Sequence, residues 1–133
     1  MKRDLDLYRD LLLFFENRID PSDPNLLLDT DGFRGISDDD LPKSLKDEDP
    51  SVLIEHIELM HEAGLVRLSD PTRDITGATL LIRVQGITHD GHDFLANIRD
   101  DTVWKRTKEK AGDVALGIIK SVAEVVVKAQ VGI

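Results

Sequence analysis

The sequence predicts an α+β domain that is mostly helical, with one small β hairpin and additional helices at its C-terminal end. Three observations carry this. Apolar residues recur at helical spacing in the stretches 3–19, 51–63 and 114–131. Two short segments, 65–69 and 79–86, instead alternate apolar with polar residues around a turn-rich loop, as a half-buried hairpin does. And 133 residues with no cysteine suit one domain held by an apolar core, with disulfides and thiolate metal sites excluded.

Each element has its own signal. In 3–19, Leu5, Tyr8, Leu12, Phe15 and Ile19 share a face with Leu11 beside them, and Asp20-Pro21 stops the helix because the residue before proline leaves the α region. Residues 20–50 read as an acidic loop with a few anchors. Leu26–Leu28 suit a place under the core, Gly32–Ile36 a short strand, and Ser37 the cap of a short helix that Pro42 weakens. In 51–63, Ser51 is a candidate N-cap, Leu53, Ile57 and Met60 form the core stripe, and Gly64 ends the helix. In the hairpin, Val66 and Leu68 oppose Arg67 and Ser69, while Leu80, Ile82 and Val84 oppose Leu81, Arg83 and Gln85. Helix resumes after Ile87 with Phe94, Leu95 and Ile98 inward, restarts at Asp100-Asp101-Thr102, and stops at Gly112-Asp113. The last helix, 114–131, is apolar except for the stripe Lys120, Glu124, Lys128. The division expected is a main domain at 1–111 and a separate apolar helix at 112–133.

The chain carries 17 basic and 26 acidic residues, a formal charge of −9. That total repels nucleic acid at long range, although a local basic footprint is what phosphate contact requires. Acid is concentrated in 29–50, eight residues against three bases, whereas 87–111 holds five of each. MKRDLDLYRD has no apolar leader, so a cytoplasmic protein is expected.

One stretch, ITHDGHDFL at 87–95, gathers two histidines and two aspartates. Thr88 stands where a strand hands over to a helix and suits an N-cap, Asp90 suits the positive end of the helix dipole, and Gly91 permits close approach of the hairpin. As metal ligands, His89 and His92 share a spacing of three, but zinc needs a third ligand and usually a fourth, and no H-E-x-x-H pattern is present. The structural roles account for Thr88, Asp90 and Gly91, and no metal or other cofactor is expected.

HEAGLVRL, the hairpin, and ITHDGHDFL together resemble the winged-helix pattern. More narrowly, MKRDLDLYRDLLL, IEHIELMHEAGLV and GHDFLANIRDDTVWKRTKEKA are similar to the bacterial and phage domain-of-unknown-function family 2513. The resemblance covers the first helix and 51–111, but not the acidic 20–50. That family usually has tryptophan where this chain has His89, a further sign that His89 is not a required ligand. The resemblance implies a winged helix-turn-helix domain with a two-stranded wing, and it implies no activity.

On such a fold, 51–63 is the helix that normally enters the DNA major groove. Its exposed face is Ser51, Glu55, Glu58 and Glu62, a poor surface for phosphate that offers no Arg, Lys, Asn or Gln to bases. Glu55, Glu58 and Glu62 are therefore candidate protein contacts. The candidate DNA contacts are Arg67, Arg73 and Arg83 of the wing and the cluster Lys105, Arg106, Lys108 and Lys110 after Trp104, itself expected in the core. His56 lies on the apolar side and reads as a core histidine with its ring hydrogen-bonded, and His61 lies off the stripe. No nucleophile–base pair or phosphate-cradling loop is recognisable, so no enzyme is expected. Two readings lead: a regulatory module that contacts double-stranded DNA, and a protein–protein interaction module that does not; a third, metal-dependent hydrolysis at His89 and His92, stands well behind them. The charged stripe in 114–131 breaks a membrane span, which needs about 20 apolar residues. A homodimer through that helix is expected instead, with packing back over the domain's own core as the alternative.

Overall fold

The computed structural model describes residues 4–18, 26–69, 71–111 and 116–131. The expected helix stops at Asp20-Pro21 and Gly112-Asp113 lie outside the described residues.

The first helix, α1 (Leu5–Arg18), buries Leu7, Tyr8, Leu11, Leu12, Phe14 and Phe15. Two strands follow in the segment read mainly as a loop: β1 (Leu26–Asp29), and β2 (Gly32–Phe33) within the short strand expected at Gly32–Ile36. Ser37 accepts from the Asp39 N–H at the head of a 3-10 turn, Asp38–Asp40, and Pro42 separates that turn from the short α2 (Lys43–Lys46). The helix α3 (Pro50–Glu62) is capped not by Ser51 but by Asp49, whose carboxylate accepts from the Ser51 N–H, with Pro50 in the first turn. Proline suits that position because its missing N–H would be unsatisfied there anyway. At the other end Leu65 N–H bonds to Met60 O and Gly64 N–H to His61 O, the paired closure that a left-handed residue makes possible, and Gly64 has φ +78°.

The strands β3 (Val66–Leu68), β4 (Thr72–Arg73) and β5 (Thr79–Ile87) complete an antiparallel sheet of five strands, in the order β2-β1-β5-β3 with β4 also on β5. The two-stranded hairpin expected from sequence is thus part of a larger sheet, with β5 inside it and β3 at one edge. Leu26 and Leu28 of β1 sit opposite Val84 and Ile82 of β5, and all four face the core. Three consecutive leucines have no period, so only the partner strand reveals which of them point inward.

A bulge interrupts β5. Leu68 pairs with Val84 but Arg67 with Gly86, so one step along β3 spans two along β5. The extra residue flips the alternation: Ile82, Val84 and Ile87 are buried, while Arg83, Gln85 and Arg67 are exposed.

Three helices close the domain: α4 (His89–Ile98), α5 (Asp101–Ala111) and α6 (Leu116–Val131). Asp100 accepts from the Thr102 and Val103 N–H groups, which makes it the expected restart cap. Arg9 of α1 donates to the carbonyls of Ile98 and Arg99 and pairs with Asp101 at 2.7 Å, tying α1 to the α4–α5 corner. The helix α6 packs back on α4 and α5, burying Leu116, Ile119 and Ala123 in continuity with the core, and Val126 beyond them.

Candidate functional site

The ITHDGHDFL stretch is a structural joint. Thr88 caps α4 by accepting from the Gly91 N–H at 3.0 Å. Its own N–H donates to Leu65 O at 3.0 Å and its hydroxyl to Gly64 O, so the end of α3 and the start of α4 are bonded together. Gly91 lies so close to this junction that a Cβ there would sit 2.0 Å from Leu65 O. His89 and His92 are exposed, and His89 lies 3.4 Å from Asp93 one turn on. Among the described residues no three His, Asp or Glu side chains are grouped to hold a metal ion.

His56 is fully buried. Its Nδ1 donates to Val52 O at 2.8 Å and its Nε2 accepts from the Asp4 N–H at 3.0 Å, which requires the neutral ring with its proton on Nδ1. The ring also packs on Tyr8, 5.0 Å between centroids. His56 is therefore a core histidine that fastens the start of α1, with both nitrogens already used. His61 is exposed and donates to Val66 O.

The acidic face of α3 and the hairpin are joined. Glu55 and Glu62 are exposed, but Glu58 is half-buried and accepts from Arg73 Nη2 at 3.1 Å. Arg73 also donates to Thr79 Oγ1 at 2.6 Å and Gly77 O at 3.3 Å, so its guanidinium is folded against the hairpin and turned toward α3. The tip beyond it is a compact turn. Asp74 accepts from Thr76 and Ala78, which hold its carboxyl below the ordinary value, and Gly77 takes the left-handed φ of +89°. Ile75 at the tip is fully exposed. Sequence alone did not reveal the Arg73–Glu58 pair, because it depends on how far the hairpin bends back.

The basic cluster divides in the same way. Lys108 pairs with Asp6 of α1 at 2.7 Å and lies over the Trp104 ring, whose indole N–H donates to the same carboxylate at 2.8 Å. Burial opposes the charge on Asp6, but the Lys108 and Trp104 donors outweigh it and the carboxyl is held below its ordinary value. Trp104 is buried as expected. Lys105, Arg106 and Lys110 are exposed and, like Arg67 and Arg83, form no ion pair among the described residues. A further pair escaped the sequence reading: Arg34 lies against the nearly buried Asp29, whose carboxyl is held low first by the Asp31 N–H and then by Arg34.

Residues 2–117 match the family described as "Hypothetical protein (DUF2513)". The chain belongs to domain-of-unknown-function family 2513. An "Uncharacterized protein" of Haemophilus influenzae is 32% identical to it over 131 residues, 96% of either chain. No solved structure matches. The family match ends at the first turn of α6, so most of that helix lies beyond it.

Lys120 of α6, expected on a polar stripe, turns inward. Its ammonium lies 3.3 Å from Ala63 O and 3.6 Å from Asp90, which fastens α6 to the α3–α4 joint. Beside the exposed Ser121, Glu124 and Lys128 runs an apolar strip: Ile118 and Val125 are more than half exposed and Val122 lies between them half-buried. No helix among the described residues is long and apolar enough to cross a membrane.

Proposed function

We propose that this member of family 2513 is a non-catalytic winged-helix module, and that α3 with its hairpin is a protein-docking surface rather than a DNA-reading one. The element order α1, β1, α2, α3, β3, β5, with β1 and β3 flanking β5, supports the winged-helix reading. The non-catalytic part is supported by the histidines: both nitrogens of His56 are bonded to backbone, and His89 and His92 stand on an open helix surface.

The single observation that carries the protein-docking reading is the Arg73–Glu58 pair. Laying α3 in a groove would bring Glu55, Glu58 and Glu62 against phosphate, and the hairpin cation nearest the groove is already neutralised by one of those glutamates. The second reading, contact with double-stranded DNA away from α3, draws support from Lys105, Arg106 and Lys110, whose charge is unspent among the described residues. The stripe Ile118, Val122, Val125, spaced four and three, supports a homodimer through α6.

Fluorescence anisotropy of a labelled random-sequence duplex, at low and then physiological salt, separates the readings. Absence of binding at low salt, where phosphate attraction is strongest, supports the protein-docking module. Binding that salt removes, and that Lys105→Ala with Arg106→Ala weakens, replaces it with the DNA reading.

A further inference from the structure

We propose that the outer face of the sheet is a second docking surface, one that takes an acidic peptide segment through Arg67 and Arg83. The proposal does not depend on what α3 binds.

The geometry follows from the bulge in β5. Before it, Arg83 and Gln85 point away from the core because Ile82 and Val84 point into it. After it, Gly86 takes the outward position opposite Arg67, and a Cβ on Gly86 would lie 3.6 Å from Arg67 Nη1. The Arg67 guanidinium therefore reaches across onto β5, over the residue that has no side chain. The result is a row along one strand: the Arg83 guanidinium, the Gln85 amide, then the Arg67 guanidinium.

Charge on this face is unbalanced. In a chain of net charge −9, Arg9, Arg18, Arg34, Arg73 and Arg99 each have a carboxylate partner, whereas Arg67 and Arg83 have none among the described residues. The acid that β1 contributes to this face, Asp29, is already occupied by Arg34. Leu27, opposite Arg83, and Leu81, opposite Asp29, add half-exposed apolar surface beside the row.

A guanidinium takes carboxylate or phosphate in a two-pronged bond, so the remaining surface decides between them. A peptide with acidic and aliphatic side chains fits both the arginines and the leucines. A nucleic acid strand fits poorly. All six aromatic residues of the chain are buried and none is available to stack a base.

The test titrates full-length protein into a fluorescein-labelled peptide of alternating glutamate and leucine, with a labelled DNA duplex as the competing probe. The expected result is salt-sensitive peptide binding that Arg67→Ala with Arg83→Ala weakens about tenfold or more, one charged hydrogen bond being worth about that much. Circular dichroism should be unchanged, since both side chains are exposed. Glu55→Lys with Glu62→Lys should leave peptide binding intact, which keeps this surface distinguishable from α3. Three outcomes overturn the proposal: equal binding by the arginine variant, duplex binding in place of peptide binding that the same substitutions abolish, or self-association that they abolish, which assigns the face to a second copy.

Discussion

Gly91 offers the sharpest test of the joint between α3, β3 and α4. It sits in the first turn of α4, where alanine is the better helix former by up to about 1 kcal/mol, so local propensity alone predicts that Gly91→Ala stabilises the protein. The tertiary contact predicts the opposite. The new methyl would lie 2.0 Å from Leu65 O, 2.6 Å from Ile87 Cγ2 and 3.0 Å from the Leu65 carbonyl carbon. Two of these are backbone atoms, which cannot swing aside, so α4 must move away from the end of α3. That movement strains the Thr88 N–H bond to Leu65 O and the Thr88 hydroxyl bond to Gly64 O, each worth about 0.5–1.5 kcal/mol. Overpacking adds about 1–3 kcal/mol. After the propensity gain, the expected net loss is about 1–5 kcal/mol. For a chain of this size that lowers Tm by roughly 3–20 °C. Urea unfolding followed by Trp104 fluorescence and by far-ultraviolet circular dichroism measures it, with His92→Ala as an exposed control in the same helix. A Gly91→Ala variant as stable as the wild type, or more stable, would show that the joint yields and that the close approach is not required.

Other consequences follow from single residues. His56→Ala should cost about 2–4 kcal/mol, because it opens a cavity and strips partners from the Asp4 N–H and Val52 O, whereas His89→Ala and His92→Ala should stay within about 0.5 kcal/mol; denaturant midpoints compare the three. Asp49 is held below its ordinary value of 3.8 by Ser51, and Asp74 below the same value by Thr76. A lowered folded-state pKa means that the unfolded chain binds protons first. These groups therefore contribute stability that is complete above the ordinary aspartate pKa and lost as pH falls through their lower folded values. Unfolding midpoints should be flat near neutrality and drop below about pH 4; a decline that begins near pH 6 would implicate histidine instead. The proposed α6 dimer predicts that Ile118→Glu with Val125→Glu yields a folded monomer, and light scattering that finds the wild type already monomeric would remove that interface.

Much of the fold was legible because its elements bury one face and write that burial as a period. The spacing of Leu53, Ile57 and Met60 marked α3, Phe94, Leu95 and Ile98 marked α4, and Gly64 and Asp100 marked element ends, since these depend on local backbone geometry that sequence encodes directly. The candidate side chains were legible as residue types: three glutamates on one helix face, arginines on the hairpin, and a basic run after Trp104. Their availability was not. Lys108 and Trp104 meet Asp6 across about a hundred residues, Arg73 reaches Glu58 only because the hairpin bends toward α3, and Leu26 and Leu28 become strand residues only beside β5. The sequence by itself thus determined the long helices, the β3–β5 hairpin and which charges exist, because those follow from periodicity and composition. Which charges are spent on the protein's own fold and which remain for a partner was decided by tertiary structure alone, because an ion pair depends on distance between side chains whose separation along the chain says nothing of their separation in space.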